Sequence, residues 1–195
     1  KELREISLMW PCPPVRAAYR ADPSALASHL LGHEGEGSAL AALQDFGWAT
    51  ALSAGLRVDD RRFALFQIKV TLTPTGEENW RGVVSVVEAH CELLRTMSDA
   101  ELQRHWAECV AMRRLGFNFL EKAAPYDWAA SHAGRLMHFS PRHVLSAGHL
   151  LDASLEPAAA RAWIGMLHRG NMIVLITCQS APTTLRAEHV TRTPG

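Results

Sequence analysis

The segment "HLLGHE" places two histidines, His29 and His33, four residues apart, with Glu34 directly after them. Imidazole and carboxylate groups are common zinc ligands in proteins. If the segment is helical, residues at i and i+4 share one face, so both histidines can reach a single metal ion. The spacing therefore permits an independent zinc hydrolase that uses His29, His33 and a distant third ligand.

The order of these residues argues against that hypothesis. Helical zinc signatures place the glutamate between the histidines, as H-E-x-x-H or H-x-x-E-H, whereas Glu34 follows both. Gly32 and the glycines of "GHEGEG" also favour an end to the helix at this point. Two other interpretations stay open. The histidines lie at a helix C-terminus, where positive charge is favoured by the helix dipole, or they belong to a surface that holds a peptide.

The rest of the sequence contains no stronger catalytic pattern. Neither Ser140 nor Ser146 stands in a G-x-S-x-G elbow, and "GHEGEG" lacks the lysine of a phosphate-binding loop. The four cysteines are far apart and include no C-x-x-C, which argues against a metal finger or a redox dithiol. This cysteine usage favours a reducing compartment, and we expect a cytoplasmic protein.

Composition and charge restrict the partners. Lys plus Arg and Asp plus Glu both total 20, so the formal net charge is zero. Nucleic acids and anionic membranes attract clustered basic surfaces, which this balance does not favour. No apolar run approaches the roughly 18 residues that span a bilayer. We expect neither nucleic-acid nor membrane binding.

Hydrophobic periodicity predicts an α+β fold. Residues 3 to 10 alternate as a strand that "PCPP" ends, Asp22 caps a helix that carries His29 and His33, and a second helix runs from about Ser38 to Phe46. Two strands follow, "WATALSAG" and "RRFALFQIKVTLT", and then about four helices and a buried strand, "NMIVLITCQ". Strands separated from helices predict a small, mainly antiparallel sheet with helices packed on one face.

The length and the apolar content favour a single domain. Of the 195 residues, 48% are hydrophobic, enough to bury one sizeable core. Residues after about 180 lack any periodicity. We expect one α+β module over residues 1–180 and a flexible tail over residues 181–195.

The segment "SHLLGHEGEGSALAALQDFGWATALSAG" resembles one found in the insulysin and pitrilysin group of zinc metallopeptidases, the inverzincins. In that group it reads nearly H-L-I-G-H-E-G-x-G-S-L-x-x-x-L-K-x-x-G-W. The matching residues are His29, Leu30, Gly32, His33, Glu34, Gly35, Gly37, Ser38, Leu43, Gly47 and Trp48. The flanking "ISLMWPCPP" and "FALFQIKVTLTPTG" are similar to the neighbouring strands of the group. The resemblance points to the second, non-catalytic module of the N-terminal half of these enzymes.

This resemblance implies an insulysin-like αβ roll, a module that is repeated four times in the full enzymes. The zinc motif of the group, H-x-x-E-H, belongs to the first module and does not occur in this chain. The resemblance therefore implies that this chain holds no cofactor, that the full-length enzyme holds zinc, and that the isolated chain is inactive. The implied partners are a peptide substrate, the catalytic module and the C-terminal half of the parent protein.

The resemblance also implies a peptide-binding site within a closed chamber. There the module anchors the N-terminal end of a substrate at a strand edge beside the glycine-rich turn. By position, the edge is Leu52, Ser53, Ala54 and Gly55, and its neighbours are His29, Gly32, His33, Glu34 and Gly37.

The residue types agree with that role. An exposed strand edge offers N–H and C=O groups that pair with any extended peptide, and small side chains let another backbone come close. Either Glu34 or Glu36 can receive a peptide's α-amino group. Where the group often has two glycines, this chain has Ala54 and Gly55. A third hypothesis is a catalytically inactive structural subunit related to the processing peptidases.

Overall fold

Four strands and seven α-helices make up residues 3–178, the part of the chain that this computed structural model describes. The strands are β1 (Glu5–Cys12), β2 (Ala49–Asp59), β3 (Ala64–Leu72) and β4 (Ile173–Thr177). The helices are α1 (Pro23–Leu31), α2 (Ala39–Asp45), α3 (Pro74–Glu78), α4 (Trp80–Thr96), α5 (Asp99–Asn118), α6 (Pro125–Leu136) and α7 (Pro157–Ile164). The predicted α+β class is confirmed, whereas the predicted tail over 181–195 lies outside the described residues.

All four strands form one antiparallel sheet in the order β2-β3-β1-β4. In β1, Ile6, Leu8 and Trp10 pair with Val70, Ile68 and Phe66 of β3. All six residues are at most 1% exposed, because alternate residues of a strand share one face and this face packs against the helices. The core therefore lies between one face of the sheet and the helical layer.

Helix α1 is fixed at its start by local signals and then packs centrally. The carboxylate of Asp22 accepts a hydrogen bond from the Ser24 N–H at 2.8 Å, and Pro23 occupies the first turn, where it needs no N–H partner. The predicted cap is thus confirmed. The helix packs on β2 and also contacts α4, α5 and α7. Its C-terminal end consequently lies where the sheet edge and the helical layer meet.

Three predicted boundaries differ from the structure. Strand β1 continues through Pro11 to Cys12, since proline loses only its N–H and still offers a carbonyl, which accepts from the Asn171 side chain at 2.8 Å. Strand β2 runs on to Asp59, so the turn is limited to residues 60–63, where the Asp60 N–H donates to the Phe63 carbonyl at 2.9 Å. Helix α1 ends at Leu31, before His33.

The predicted burial of the last strand was wrong. Within residues 3–178, strand β4 pairs only with β1 and lies at an edge of the sheet, and Ile173, Val174 and Leu175 are 50%, 36% and 48% exposed. An apolar run is consistent with a buried strand, but the strand is buried only if other elements cover both of its faces. Within residues 3–178, no helix is long and apolar enough to cross a membrane.

Candidate functional site

The two histidines of "HLLGHE" do not share a helix. Gly32 is the C-cap of α1 and donates its N–H to the Ser28 carbonyl at 2.9 Å, so His29 lies in the last turn and His33 lies beyond it. The Nδ1 atom of His33 accepts a hydrogen bond from the Gly35 N–H at 3.0 Å, which folds the ring back onto its own loop. The predicted helical i, i+4 pair is wrong, because the glycines stop the helix one turn early.

Glycines let α1 approach β2 closely. A Cβ atom at Gly32 would lie 3.5 Å from the Ala54 nitrogen and only 2.7 Å from the Ser28 carbonyl oxygen. At Gly55 the nearest atom to a Cβ would be the Ser28 hydroxyl oxygen, at 3.8 Å. The structure thus brings Gly32, Ala54 and Gly55 together around one turn of helix, as the resemblance implied.

Strand β2 supplies the edge of the sheet at this point. It pairs with β3 on one side, and no other strand of residues 3–178 pairs with it. Leu52 is 6% exposed and faces the core opposite Val70, whereas Ser53 is exposed and lies opposite Lys69 on the other face. Leu52 therefore contributes backbone groups and no accessible side chain to a ligand at this edge.

A cavity of about 680 Å³ lies on the other side of the C-terminal end of α1, between α4 and α5. We call it the histidine cavity, after four imidazoles in its wall. Its main lining residues are His29, Leu31, His33, Glu36, Gly37, His90, Leu93, Leu94, Met97, His105, Glu108 and Met112. Of the predicted site residues, His29, His33 and Gly37 line the cavity, whereas Glu34 does not and its neighbour Glu36 does.

Glu108 is the electrostatic centre of this cavity. Its Oε2 atom lies 3.0 Å from Nδ1 of His105 and 3.9 Å from Nε2 of His29, while Arg104 contacts its other oxygen at 3.1 Å. The hydrogen bond with His105 is the main cause that lowers the pKa of Glu108. Burial lowers the pKa of His29, and nearby His33 and His105 lower it further, against the opposing effect of Glu108. The cavity therefore presents a carboxylate beside a neutral imidazole.

His90 ties the glycine-rich loop to α4. Its Nδ1 atom lies 2.8 Å from the Val86 carbonyl oxygen, and its Nε2 atom lies 3.3 Å from the Gly37 carbonyl oxygen. A neutral imidazole donates from only one nitrogen at a time, so the tautomer decides which carbonyl oxygen accepts a hydrogen bond. His90 thus holds the loop against the wall of the cavity.

The α4 and α5 residues in this wall were hard to predict from the sequence. His90 belongs to the apolar stripe of a predicted helix, which indicates that it faces inward. His105 and Glu108 belong to no complete motif and reach His29 only through the packing of α5 against α1. Among residues 3–178, no three His, Cys, Asp or Glu residues lie close enough to hold a metal ion.

Comparisons with known proteins identify the family of this chain. The family model described as "Peptidase M16 inactive domain" matches residues 1–108, more than half of the chain. The chain belongs to the peptidase M16 family. The predicted resemblance to insulysin and pitrilysin is therefore confirmed, and the match is to the inactive domain of the family.

Relatives of this M16 module are much longer than the module itself. The chain is 31% identical over 182 residues to the insulin-degrading enzyme of Drosophila melanogaster and 30% identical over 186 residues to a nardilysin-like protein of Arabidopsis thaliana. Each alignment covers 92% of this chain but only 17% and 18% of the respective relative. The chain thus spans less than a fifth of the curated relatives that it matches.

The fold of the M16 module is similar to part of the crystal structure of pitrilysin. The TM-score is 0.85 at 18% sequence identity, over 93% of this chain and 19% of that chain. The likeness reaches well beyond the residues of the family model, so the later helices and β4 also follow the fold seen in pitrilysin.

Proposed function

We propose that this M16 inactive module anchors the N-terminal end of a peptide and helps to enclose it in the chamber of a zinc metalloendopeptidase. The observation that carries the proposal is the junction of α1 with the edge of β2, where Gly32 lies against Ala54 and Ser28 lies near Gly55. Backbone groups dominate that junction, and side chains do not crowd it.

The edge recognises a peptide by its main chain. An extended peptide that adds to β2 pairs its N–H and C=O groups with those of residues 52–55, and this pairing does not depend on side-chain identity. Gly55 adds no side-chain bulk, and the exposed Ser53 is small. Such a site holds many peptides in one orientation, which suits an enzyme that degrades diverse substrates.

The parent protein supplies the chemistry in this proposal. A zinc-bearing catalytic module and a C-terminal half lie elsewhere in it, and the module described here contributes a wall of the chamber. The support is family membership together with a length below one fifth of the matched relatives. We further infer a cytoplasmic location, in keeping with thiols that form no disulfide at Cys12, Cys91 and Cys109.

The proposal is tested by peptide binding to the 195-residue chain. An eight-residue peptide with a C-terminal fluorophore is titrated in an anisotropy assay, once with a free amino terminus and once acetylated. We expect the free peptide to bind and the acetylated peptide to bind about fivefold or more weakly, the loss of roughly one hydrogen bond to a charged group. Equal affinity for the two peptides, or no binding up to millimolar chain, contradicts N-terminal anchoring.

A matched pair of variants tests the edge itself. Gly55→Ala fits the free protein, because its Cβ atom would meet the nearest atom at 3.8 Å, but it adds a methyl group where the peptide backbone approaches. We expect weaker peptide binding at unchanged stability. The control is Gly134→Ala in α6, where a Cβ atom would meet nothing within 4 Å. Equal affinities for the two variants would place the peptide elsewhere.

A further inference from the structure

The histidine cavity has an apolar floor and an acidic rim. Leu31 and Leu94 are 3% and 2% exposed and form its deepest part, with Met97 beside them. Glu36 and Glu108 are exposed and stand at its opening. Its volume of about 680 Å³ lies within the range of roughly 300–1,000 Å³ that is typical of sites for small ligands.

The described residues that line this cavity include carboxylates but no lysine or arginine. Among the lining residues that the structure describes, Glu36 and Glu108 are carboxylates and none is a lysine or an arginine. The charged Arg104 contacts Glu108 from outside the lining. A site with apolar depth and carboxylates at its rim complements a ligand that combines an apolar group with a cation.

The cavity and the β2 edge lie on adjoining sides of the same helix turn. Ser28 and Gly32 face Gly55 and Ala54, while His29 and His33, the next residue in each case, line the cavity. An extended peptide advances about 3.3 Å per residue. A peptide paired with the edge can therefore pass the end of α1 and enter the cavity with its first residue.

We propose that the histidine cavity receives the first residue of the anchored peptide and selects a large apolar side chain there. The side chain occupies the floor beside Leu31, Leu94 and Met97 and contacts Met112 in the wall, and the free α-ammonium lies at Glu36 and Glu108. This inference rests on the proposed anchoring function, but it adds a preference that backbone pairing alone does not give. The substrate class is peptides that begin with phenylalanine, leucine or a similar residue.

The test uses one peptide sequence in two forms that differ only at the first position, phenylalanine or serine, both with free amino termini. Anisotropy titrations of the 195-residue chain give the ratio of the two dissociation constants. We expect the phenylalanine peptide to bind about tenfold more tightly, the effect of burying much of one large apolar side chain. Equal binding of both peptides overturns the inference and leaves the anchoring function standing. No binding of either peptide overturns both.

Two variants on α5 localise the preference. Met112 and Leu115 are 59% and 60% exposed, so a serine at either position leaves the core intact, but only Met112 lines the cavity. We expect Met112→Ser to reduce the preference for phenylalanine to about threefold or less, and Leu115→Ser to preserve it. An equal effect of the two variants would assign the preference to general surface hydrophobicity and overturn the proposal.

A pair of glutamate variants tests the acidic rim. Glu36→Gln should weaken both free-amine peptides equally, because it removes charge near the α-ammonium and leaves the floor unchanged. Glu121→Gln removes an exposed carboxylate that does not line the cavity, and it should have no effect. Unchanged binding in Glu36→Gln would show that the α-ammonium does not lie at this rim, contrary to the proposal.

Discussion

His29 shows how a residue that suggests metal binding serves a different physical role. It lies at the end of α1, partly covered by α5, and its side chain is 23% exposed. Burial is the main cause that lowers its pKa, Glu108 opposes this effect, and His33 and His105 lower the pKa further. The folded protein therefore favours the neutral imidazole of His29, so this residue adds no positive charge beside Glu108 at neutral pH.

The lowered pKa predicts how stability depends on pH. Below about pH 6.5 the unfolded chain protonates this histidine while the folded chain resists it, so the unfolded state binds more protons. The free energy of unfolding should fall as the pH drops from 8 to 5. Urea denaturation at both pH values measures this loss. We expect the loss to be smaller in His29→Gln, with a remainder from His149, whose pKa burial also lowers.

The control is His138→Gln, an exposed residue that is not among the causes of the lowered pKa of His29 or His149. This variant should keep the full loss of the wild type. If His29→Gln and the wild type lose the same free energy between pH 8 and pH 5, burial of His29 does not contribute to the acid sensitivity.

At the scale of elements, the start of β2 is fixed by its fit against α3. A Cβ atom at Gly76 would lie 1.9 Å from the Trp48 carbonyl oxygen, and one at Gly82 would lie 2.7 Å from the Trp48 ring. The same Trp48 carbonyl accepts a hydrogen bond from the Thr73 N–H at 3.0 Å. Trp48 is thus held between two glycines, and this contact sets where β2 enters the sheet.

Gly76→Ala should destabilise the fold by about 1–3 kcal/mol, the usual range for overpacking a tight contact. The clash is with backbone atoms, so it cannot be relieved by a change of rotamer. The matched control is Gly134→Ala, in open space within α6, where alanine should leave stability unchanged or raise it by about 0.5–1 kcal/mol. Urea denaturation gives both values. Equal unfolding free energies for the two variants would show that the contact with Trp48 adjusts freely.

Elements with local signals were predictable from the sequence, and those that depend on packing were not. Asp22 caps α1 as predicted, because a capping side chain acts on an N–H only two or three residues away. The strand edge around Ala54 also followed from the resemblance. His33 was placed wrongly because Gly32, directly before it, ends the helix despite the helical spacing of the two histidines. The α5 wall of the cavity was missed because it meets α1 only through tertiary packing.

The whole molecule leaves much apolar surface uncovered. Tyr126, Trp128 and Met137, on or next to α6, are 82%, 51% and 74% exposed, and α6 has no buried residue. Strand β4 adds a second exposed apolar strip. Extended surfaces of this kind are typical of sites that another protein or module covers. The exposed apolar run of β4 agrees with a chain that spans less than a fifth of its relatives.

In the proposed parent protein, the catalytic zinc belongs to another module. We therefore expect the isolated chain to bind no catalytic zinc and to cleave no peptide. The segment "HWAEC" approaches H-x-x-E-H, but Cys109 replaces the last histidine. Burial raises the pKa of Cys109 to about 11, so it remains a thiol at neutral pH and is a poor ligand. Its neighbour Glu108 already bonds His105 and Arg104.

Zinc content is measured by mass spectrometry after dialysis against zinc and removal of the excess. Activity is measured on the same sample by cleavage of a quenched fluorogenic peptide. We expect far less than one zinc per chain and no cleavage above the buffer blank. Binding of the free-amine peptide by the same sample shows that the chain is folded and competent. One zinc per chain that is lost in His29→Ala or His105→Ala would contradict the proposed function. The histidine cavity would then be a metal centre, and the zinc hydrolase hypothesis would replace peptide anchoring.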